Sequence, residues 1–335
     1  MTLHLSDIEA AAARLKGKAD ATPLVPSPFM TEAAGVPFHL KLEMMQPIGA
    51  FKLRGAMNAV MNLPEGAQGV TCCSTGNHGR GVAFAAAARG IRAVICMSEL
   101  VPQAKVDGIR ALGAEVKIVG RSQDDALAES QRLVEAEGLV EISPFDDAHV
   151  IAGQGTIGLE IMRAAPELEA IYVPLSGGGL AAGVAVAAKA LKPEVKIYGI
   201  TMDRGAAMHE SLRAGHPVDV EELPSLADSL GGGIGMNNRL SYPICREFLD
   251  GTVLVTEEEI YHAMQVLFYE DRLVAEGGSV VGLAATLTGK LPKPGGPVAT
   301  IVTGRNLDMH LFHRIMAGEP VTLGDKTIRG QTYEP

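Results

Sequence analysis

The sequence predicts an α/β protein in which open, twisted, mostly parallel sheets are covered by helices on both faces. Short β-rich runs alternate with helical segments along almost the whole chain of 335 residues, and this alternation is the signature of parallel sheets. This length is sufficient for two domains or one large α/β unit, and a content of 47% hydrophobic and 20% charged residues is ordinary for a soluble globular protein. Because no apolar run reaches about 18 residues, we expect no membrane-spanning helix.

The individual strands are predicted from buried-type apolar runs, which are "VPFHLKL", "GVTCCS", "RAVICM", "EVKIVG", "AIYVPLS", "VKIYGI" and "VATIVTG". Two helices are expected to begin at "SDIEAAAARL" and "TEEEIYHAMQVLF", because in each a Ser or Thr stands three residues before Glu, as in a capping box. The βαβ series from about Gly69 to Asp147 predicts a small domain, residues 69–147, inserted in a large domain formed by residues 1–68 and 148–335.

Charge and composition argue against nucleic-acid and membrane partners. The formal net charge is −10, no basic run is present and tryptophan is absent, whereas phosphate-backbone binding needs clustered Lys and Arg. The N-terminal segment has no basic part followed by an apolar part. The four cysteines show no C-x-x-C spacing, which favours buried thiols in a reducing compartment. We therefore expect a cytoplasmic protein.

A lone lysine, Lys52, stands in the Ala-rich stretch "QPIGAFKLRGAMNAV", residues 46–60. In most proteins such a lysine lays its stem on the core and keeps its ammonium group in water. A reactive amine is the alternative, and it needs support from other parts of the chain.

The stretch "CCSTGNHGRGVAFAAAARG", residues 72–90, is the first place where chemistry could lie. An apolar strand leads into a polar turn at the start of an Ala-rich helix, and the turn contains Ser74, Thr75, Gly76, Asn77 and His78. Free N–H groups and the positive end of the helix dipole make such a turn a good cradle for a carboxylate or phenolate. An ordinary N-cap remains the alternative, and His78 could equally be a core histidine.

The second place is a strand that runs directly into a helix through Ser176, Gly177, Gly178 and Gly179. Successive glycines let the backbone approach a phosphate closely. A rival interpretation is an NAD-dependent oxidoreductase, because Gly177, Gly179 and Ala182 fit G-x-G-x-x-A. Asp203 also lies near the position where dinucleotide-binding folds keep their ribose-binding acid.

The third place is the end of the strand in "ATIVTGRNLD", with Thr303, Gly304, Arg305 and Asn306, for which a plain turn is the alternative.

Together these stretches supply the parts needed to hold pyridoxal 5′-phosphate (PLP): a lysine for a Schiff base, a donor turn, a phosphate loop and a hydroxyl at a strand end. "GAFKLRGA" resembles the lysine motif of the fold-type II PLP enzymes, the group of serine and threonine dehydratases and serine racemase. "STGNHG", "VIAGQGTIGLE", "SGGGLAAG" and "VTGRNLD" recur in the order of that family. The resemblance implies a tryptophan synthase β-like fold, PLP as cofactor, a small amino acid as substrate and a homodimer.

The resemblance also implies roles for individual residues. Lys52 would form the Schiff base and act as the acid/base group, with Phe51 beside the cofactor. Asn77 would bond the cofactor's 3-oxygen, residues 176–179 would wrap its phosphate, and Thr303 would face its pyridine nitrogen. The substrate carboxylate would be received by the turn that contains Ser74, Thr75, Asn77 and His78.

Departures from the family pattern narrow the expected activity. Thr75 stands where serine racemase has the serine that serves as its second base, so Thr75 is a catalytic candidate and racemisation is in doubt. Thr201 and Ala207 occupy the positions of metal-binding carboxylates in racemase-like members, so we expect no metal there. "SLADSLGGGIGMNNR" and the Arg305 of "VTGRNLD" resemble the dehydratase of hydroxyectoine utilisation.

The expected reaction is the dehydration and deamination of a β-hydroxy-α-amino acid to a 2-oxo acid and ammonia, with hydroxyectoine catabolism as a context. A serine/threonine dehydratase or an amino-acid racemase of the same fold is the alternative. Arg305 would contact a polar tail of the substrate, although a surface salt bridge would explain it equally well.

Overall fold

The structure is a computed structural model that describes residues 3–74, 76–101 and 103–334. Its α-helices are α1 (Leu5–Leu15), α2 (Pro28–Ala34), α3 (Lys52–Met61), α4 (Asn77–Arg89), α5 (Gln103–Arg110), α6 (Gln123–Glu137), α7 (Ala148–Ala164), α8 (Gly179–Leu191), α9 (Ala207–Ala214), α10 (Ser241–Phe248), α11 (Glu257–Asp271), α12 (Val281–Leu287) and α13 (Met309–Met316). Short 3-10 helices cover Glu43–Met45, Asp228–Leu230 and Gly277–Ser279.

The strands are β1 (Leu24–Pro26), β2 (Phe38–Lys41), β3 (Gly69–Cys73), β4 (Arg92–Met97), β5 (Glu115–Ile118), β6 (Val140–Glu141), β7 (Ala170–Pro174), β8 (Lys196–Met202), β9 (Gly251–Val255), β10 (Val298–Ile301), β11 (Val321–Leu323) and β12 (Lys326–Ile328). A six-stranded sheet has the order β1-β2-β10-β7-β8-β9, and a four-stranded sheet has the order β5-β4-β3-β6. All neighbours in both sheets are parallel except β1 and β2. The predicted mostly parallel α/β architecture is confirmed, and each of the seven predicted runs contains a strand.

The six-stranded sheet is buried on both faces because side chains alternate along its central strands. In β7, Ile171 and Val173 pack into an apolar cluster that contains the inner faces of α7 and α8. Ala170 and Tyr172 point the opposite way, into a cluster with α11 and α12. Such a continuous apolar run is the expected pattern for a parallel strand covered by helices on both sides.

One of the two predicted capping boxes is confirmed and the other is wrong. At the start of α11, the Thr256 N–H donates to Glu259 at 2.8 Å and the Glu259 N–H donates to the Thr256 hydroxyl at 3.2 Å. By contrast, α1 already begins at Leu5, so Ser6 lies inside the helix. The Asp7 carboxylate instead accepts the His4 N–H at 2.9 Å, and this bond satisfies a donor two residues before the predicted cap.

The strands of the four-stranded sheet all lie between Gly69 and Glu141, whereas the six-stranded sheet takes strands from both sides of that segment. This arrangement supports the division into a small domain, residues 69–147, and a large domain, residues 1–68 and 148–335, which we keep as a proposal. Within the described part of the chain, no helix has both the length and the apolar character needed to cross a bilayer.

Candidate active site

The predicted site residues lie where parallel strands end, which is where open α/β sheets place their ligands. Ser74 follows β3, residues 176–179 follow β7, and Thr303 follows β10. Lys52 is the first residue of α3, and the preceding Ala50 forms an antiparallel bridge with Gly304. The lysine is therefore tied by the backbone to the end of β10.

Lys52 is partly buried, and its Nζ donates to the carbonyl oxygen of Pro144 at 2.8 Å. The backbone N–H of Phe51 donates to the carbonyl of Thr303 at 2.9 Å, which fixes the start of α3 against the strand end. Burial lowers the pKa of Lys52 to about 8, against a smaller opposing effect of Cys72. Desolvation disfavours the ammonium form, so this amine is more easily deprotonated than an exposed lysine.

The glycine loop has no room for side chains. A Cβ on Gly177 would clash with the ring of Phe145, one on Gly179 would lie 2.8 Å from the Phe145 Cα, and one on Gly178 would lie 2.6 Å from the Met208 Cε. Gly178 also has a φ of 88°, in the left-handed region. Only glycine fits at this turn.

The carbonyls of this loop are held on the side of α10. The Ser241 hydroxyl donates to the carbonyl of Gly177 at 2.7 Å, and the Cys245 thiol donates to that of Gly178 at 3.6 Å. The first N–H groups of α8 have no partner within the helix. The loop therefore offers backbone donors and the positive helix end to an anion such as a phosphate.

A single segment joins the lysine to the glycine loop. Pro144 accepts the bond from the Lys52 amine, and the next residue, Phe145, packs on Gly177 and Gly179. The loop and the lysine therefore lie on two sides of one short stretch of chain.

Asn77, the first residue of α4, is held from two sides by residues that sequence reasoning gave no role. Its Nδ2 donates to Glu276 Oε1 at 2.9 Å, and its Oδ1 accepts from Asn306 Nδ2 at 2.7 Å. Glu276 also accepts the backbone N–H of Asn306 at 3.2 Å. A sequence signal for Glu276 exists in hindsight: an acid in an otherwise apolar "VAEGGSVVG" stretch needs buried partners.

Thr303 is buried, and its hydroxyl lies 2.9 Å from that of Ser279, a second residue that the sequence analysis missed. The Ser279 hydroxyl donates to the carbonyl of Gly304 at 2.9 Å and accepts the Gly304 N–H at 2.8 Å. Ser279 thus fixes the position of the hydroxyl that was predicted to face a pyridine nitrogen.

The remaining predicted residues differ in their placement. The Ser74 hydroxyl accepts the N–H of Gly76 at 3.4 Å within the turn. His78 is buried, its Nε2 donates to the carbonyl of Ile142 at 2.8 Å, and burial lowers its pKa to about 3. The ring is therefore neutral, which favours the alternative of a core histidine, and its contact with substrate stays a prediction. Thr75 lies outside the described residues.

Arg305 is exposed, and its backbone N–H donates to the carbonyl of Gly49 at 2.9 Å.

Thr201 is buried with its hydroxyl donating to Met202 Sδ at 3.4 Å, and Ala207 is also buried. Across the described ranges, no group of three or more His, Cys, Asp or Glu side chains is placed to hold a metal ion. The absence of a metal requirement stays a prediction.

Comparisons with known proteins identify the family of the chain. A family model described as "Pyridoxal-phosphate dependent enzyme" matches residues 16–304. The chain is 52% identical to a putative threonine dehydratase of Sinorhizobium fredii, over 94% of this chain and 96% of that protein. It is 41% identical to an L-threonine ammonia-lyase of Thermotoga maritima, over 97% of this chain and 80% of that protein.

Among solved structures, a serine racemase from Dictyostelium discoideum superposes with a TM-score of 0.86 at 33% identity, over 92% of this chain and 100% of that chain. The chain belongs to the family of pyridoxal-phosphate dependent enzymes and has their fold-type II architecture. The family match leaves the dinucleotide interpretation of the glycine loop without support. The side-chain-free loop, the helix end and the lysine amine fit PLP.

Proposed function

We propose that the chain is an ammonia-lyase that dehydrates and deaminates a β-hydroxy-α-amino acid, with a 2-oxo acid and ammonia as products. The observation that carries this proposal is the convergence of a lysine amine of lowered pKa, a glycine phosphate loop, an amide and a hydroxyl at the ends of parallel strands. Relatives named as threonine dehydratase and L-threonine ammonia-lyase support the reaction class.

We assign the cofactor contacts as follows. Lys52 would attach to PLP, with Phe51 beside it, and residues 176–179 would bind the phosphate through backbone N–H groups. Asn77 would donate to the 3-oxygen, and the Thr303 hydroxyl would meet the pyridine nitrogen. When bound, PLP withdraws electrons from the substrate's α-carbon and so acidifies the proton on it.

The side chains and backbone of the protein then move the proton and bind the substrate carboxylate. The Lys52 amine takes the α-proton, a role for which an amine of lowered pKa is suited. The β-hydroxyl accepts a proton as its C–O bond breaks and leaves as water, so that the α-proton and the hydroxyl together are lost as one water. The released enamine hydrolyses to the 2-oxo acid and ammonia. The turn at the N-terminus of α4, with Ser74, Thr75, Asn77 and His78, would receive the substrate carboxylate.

We propose Arg305 as the residue that selects a longer substrate, such as the amino acid formed when the hydroxyectoine ring is opened. Arg305 follows Gly304 at the end of β10 and is bonded through its backbone to Gly49, three residues before Lys52. An exposed guanidinium at that edge offers fixed donors to an amide or carboxylate. The turn at the N-terminus of α4 cannot make this selection, because it would bind the α-carboxylate, which all amino acids have.

The test is a screen of ammonia release from β-hydroxy amino acids, including serine, threonine and opened hydroxyectoine. We expect turnover of at least one of them by the purified protein with bound PLP. In Arg305→Gly, kcat/KM for the extended substrate should fall by an amount that corresponds to a loss of about 1.5–3 kcal/mol in transition-state stabilisation, as expected for one charge-assisted hydrogen bond. Turnover of serine and threonine should not change. Arg305→Lys, which keeps the charge but not the fork of donors, is the matched control and should lose less.

Equal losses for all substrates would show that Arg305 supports the fold, and absence of ammonia release from the whole screen would refute the lyase. Racemisation is the second candidate, because the chain superposes on a serine racemase. Chiral chromatography of L-serine incubated with the enzyme distinguishes the two reactions.

We also propose that the protein is a cytoplasmic homodimer, as in the family that it resembles. Light scattering of the purified holoenzyme tests the dimer, since a monomeric mass at assay concentration would exclude it.

A further inference from the structure

We propose that Glu276 is a positioning residue that, together with Asn306, fixes the Asn77 amide so that an N–H is presented to the cofactor's 3-oxygen. The inference rests on the assignment of Asn77 to that oxygen under the proposed function. It concerns a buried carboxyl group for which the catalytic scheme above has no use.

The hydrogen bonds around Asn77 allow only one orientation of its amide. In its ionised form the Glu276 carboxylate can only accept, so the atom of Asn77 that faces it at 2.9 Å must then be the NH₂ group. At the other end, the carbonyl of Ile48 can also only accept, and it lies 2.9 Å from Asn306 Nδ2. Asn306 therefore presents its NH₂ group to Asn77, whose Oδ1 accepts it at 2.7 Å. Two acceptor-only groups thus fix the whole chain of bonds.

This orientation decides what Asn77 can offer to a ligand. An amide nitrogen carries two N–H groups. The Asn77 nitrogen lies 2.9 and 3.3 Å from the two oxygens of the carboxylate, and one N–H directed between them leaves the other for a ligand. With the amide turned over, Asn77 would present its oxygen, which repels a phenolate. A donor at this place stabilises the anionic form of a cofactor 3-oxygen, whereas an acceptor favours the protonated form.

The hydrogen bonds from Glu276 and Asn306 to the Asn77 amide form a clamp, and this clamp joins parts of the chain that are far apart in sequence. Asn77 begins α4, beside the four-stranded sheet, while Glu276 and Asn306 flank the end of β10 in the six-stranded sheet. Glu276 is 4% exposed, and its backbone N–H donates to the carbonyl of Gly304 at 3.1 Å. Because the carboxylate is anchored on the large sheet, it can hold the amide of the small sheet at a constant place.

Burial of the Glu276 carboxyl group costs free energy, and a side chain that only filled space would not need a carboxyl group. Desolvation, with Asp228 as the nearby negative charge, raises the pKa of Glu276 to about 7, against hydrogen bonds from Asn77, Ser229 and the Asn306 backbone. A glutamine would fill the same space without that cost. The retained carboxyl is explained if an acceptor-only group is needed to set the amide.

The test uses holoenzyme and reads the cofactor directly. We expect Glu276→Ala to move intensity from the long-wavelength absorbance band of bound PLP, which comes from the anionic 3-oxygen, to the short-wavelength band. The same variant should weaken PLP binding about tenfold in a reconstitution titration, as expected for a lost hydrogen bond at a charged group. Glu276→Gln keeps one acceptor oxygen but can also turn its NH₂ group toward Asn77, so it should restore only part of both properties.

Three further variants separate the possible outcomes. Asn306→Ala removes the other side of the clamp, keeps the carboxyl and should shift the spectrum in the same direction; it also serves if Glu276→Ala fails to fold. Glu257→Gln is the matched control, since Glu257 is a buried carboxyl group that accepts the Leu226 N–H at 2.8 Å and does not contact Asn77. Its spectrum should equal that of the wild type.

The inference is overturned if Glu276→Ala and Asn306→Ala keep the wild-type band ratio, or if Glu257→Gln shifts it equally. Asn77→Ala tells this failure apart from a failure of the proposed function. If Asn77→Ala changes the spectrum and the Glu276 variants do not, Glu276 has no positioning role. If Asn77→Ala itself has no effect, the assignment of Asn77 to the cofactor is wrong.

Discussion

Replacing Arg54 by methionine should destabilise the protein strongly, because this guanidinium neutralises the carboxylate of Glu43, which has no contact with water. Arg54 is 2% exposed and Glu43 is 0% exposed. Two bonds of 2.8 Å join Arg54 to Glu43, and bonds of 2.7 and 2.8 Å join it to Glu160. Burial lowers the pKa of Arg54, but Glu43 and Glu160 outweigh that effect and raise it, so the group stays charged.

The magnitude follows from what the substitution leaves behind. With methionine at position 54, Glu43 keeps hydrogen bonds from Thr22 and Gln46 but no guanidinium, and an uncompensated buried charge costs about 3–5 kcal/mol. Urea denaturation followed by circular dichroism should show this loss. The double variant Arg54→Met with Glu43→Gln should recover part of it, because the orphaned charge is gone.

Arg92 provides the matched control. It also holds a carboxylate through two bonds, to Glu115 at 2.8 Å each, but its side chain is 39% exposed. Arg92→Met should therefore cost less than about 1 kcal/mol. Equal losses for Arg54→Met and Arg92→Met, or no recovery in the double variant, would refute the argument that burial makes the difference.

Three further predictions concern the site. Because Thr201 and Ala207 stand where metal carboxylates would be expected, EDTA should leave ammonia release unchanged; a loss that magnesium reverses would disprove this. Ser279→Ala frees the Thr303 hydroxyl, which lies 2.9 Å from it, and should weaken PLP binding up to about tenfold; an unchanged titration would count against the assignment of Thr303. In the cofactor-free protein, the pKa of Glu276 is raised from 4.5 to about 7, so the folded state holds the proton longer and the free energy of unfolding should fall by about 3 kcal/mol as pH rises through that window. Urea midpoints at pH 5 and pH 8 should show a smaller fall in Glu276→Gln, and equal falls would contradict the raised pKa.

The parts of the molecule that the sequence predicted are those governed by local patterns. Apolar runs such as "AIYVPLS" become strands because burial on both sheet faces requires them, and the Thr256 cap follows from hydrogen bonds that span three residues. Strands with little apolar character, such as β6 with two residues, gave no such signal. The same holds for the cap of α1, where His4 takes a position for which Ser and Asn are the usual residues.

The part that the sequence could not provide is the set of contacts between distant segments. Asn306 lies in the third stretch, but its role depends on a hydrogen bond to Asn77, from which it is separated by 229 positions. Glu276 and Ser279 were missed for the same reason, since their partners lie on other strand ends. His78 shows the reverse case: its residue type fits a substrate contact, but its bond to Ile142 could only be seen in three dimensions.

The central claim is that Lys52 carries the cofactor and moves the proton, and one variant tests both. Purified Lys52→Ala should show no visible absorbance from lysine-bound PLP and no ammonia release, whereas Lys16→Ala, at an exposed lysine, should retain both. Borohydride reduction followed by peptide mapping should place PLP on Lys52 in the wild type. PLP that is reducible onto a different lysine in Lys52→Ala, with ammonia release retained, would contradict the account.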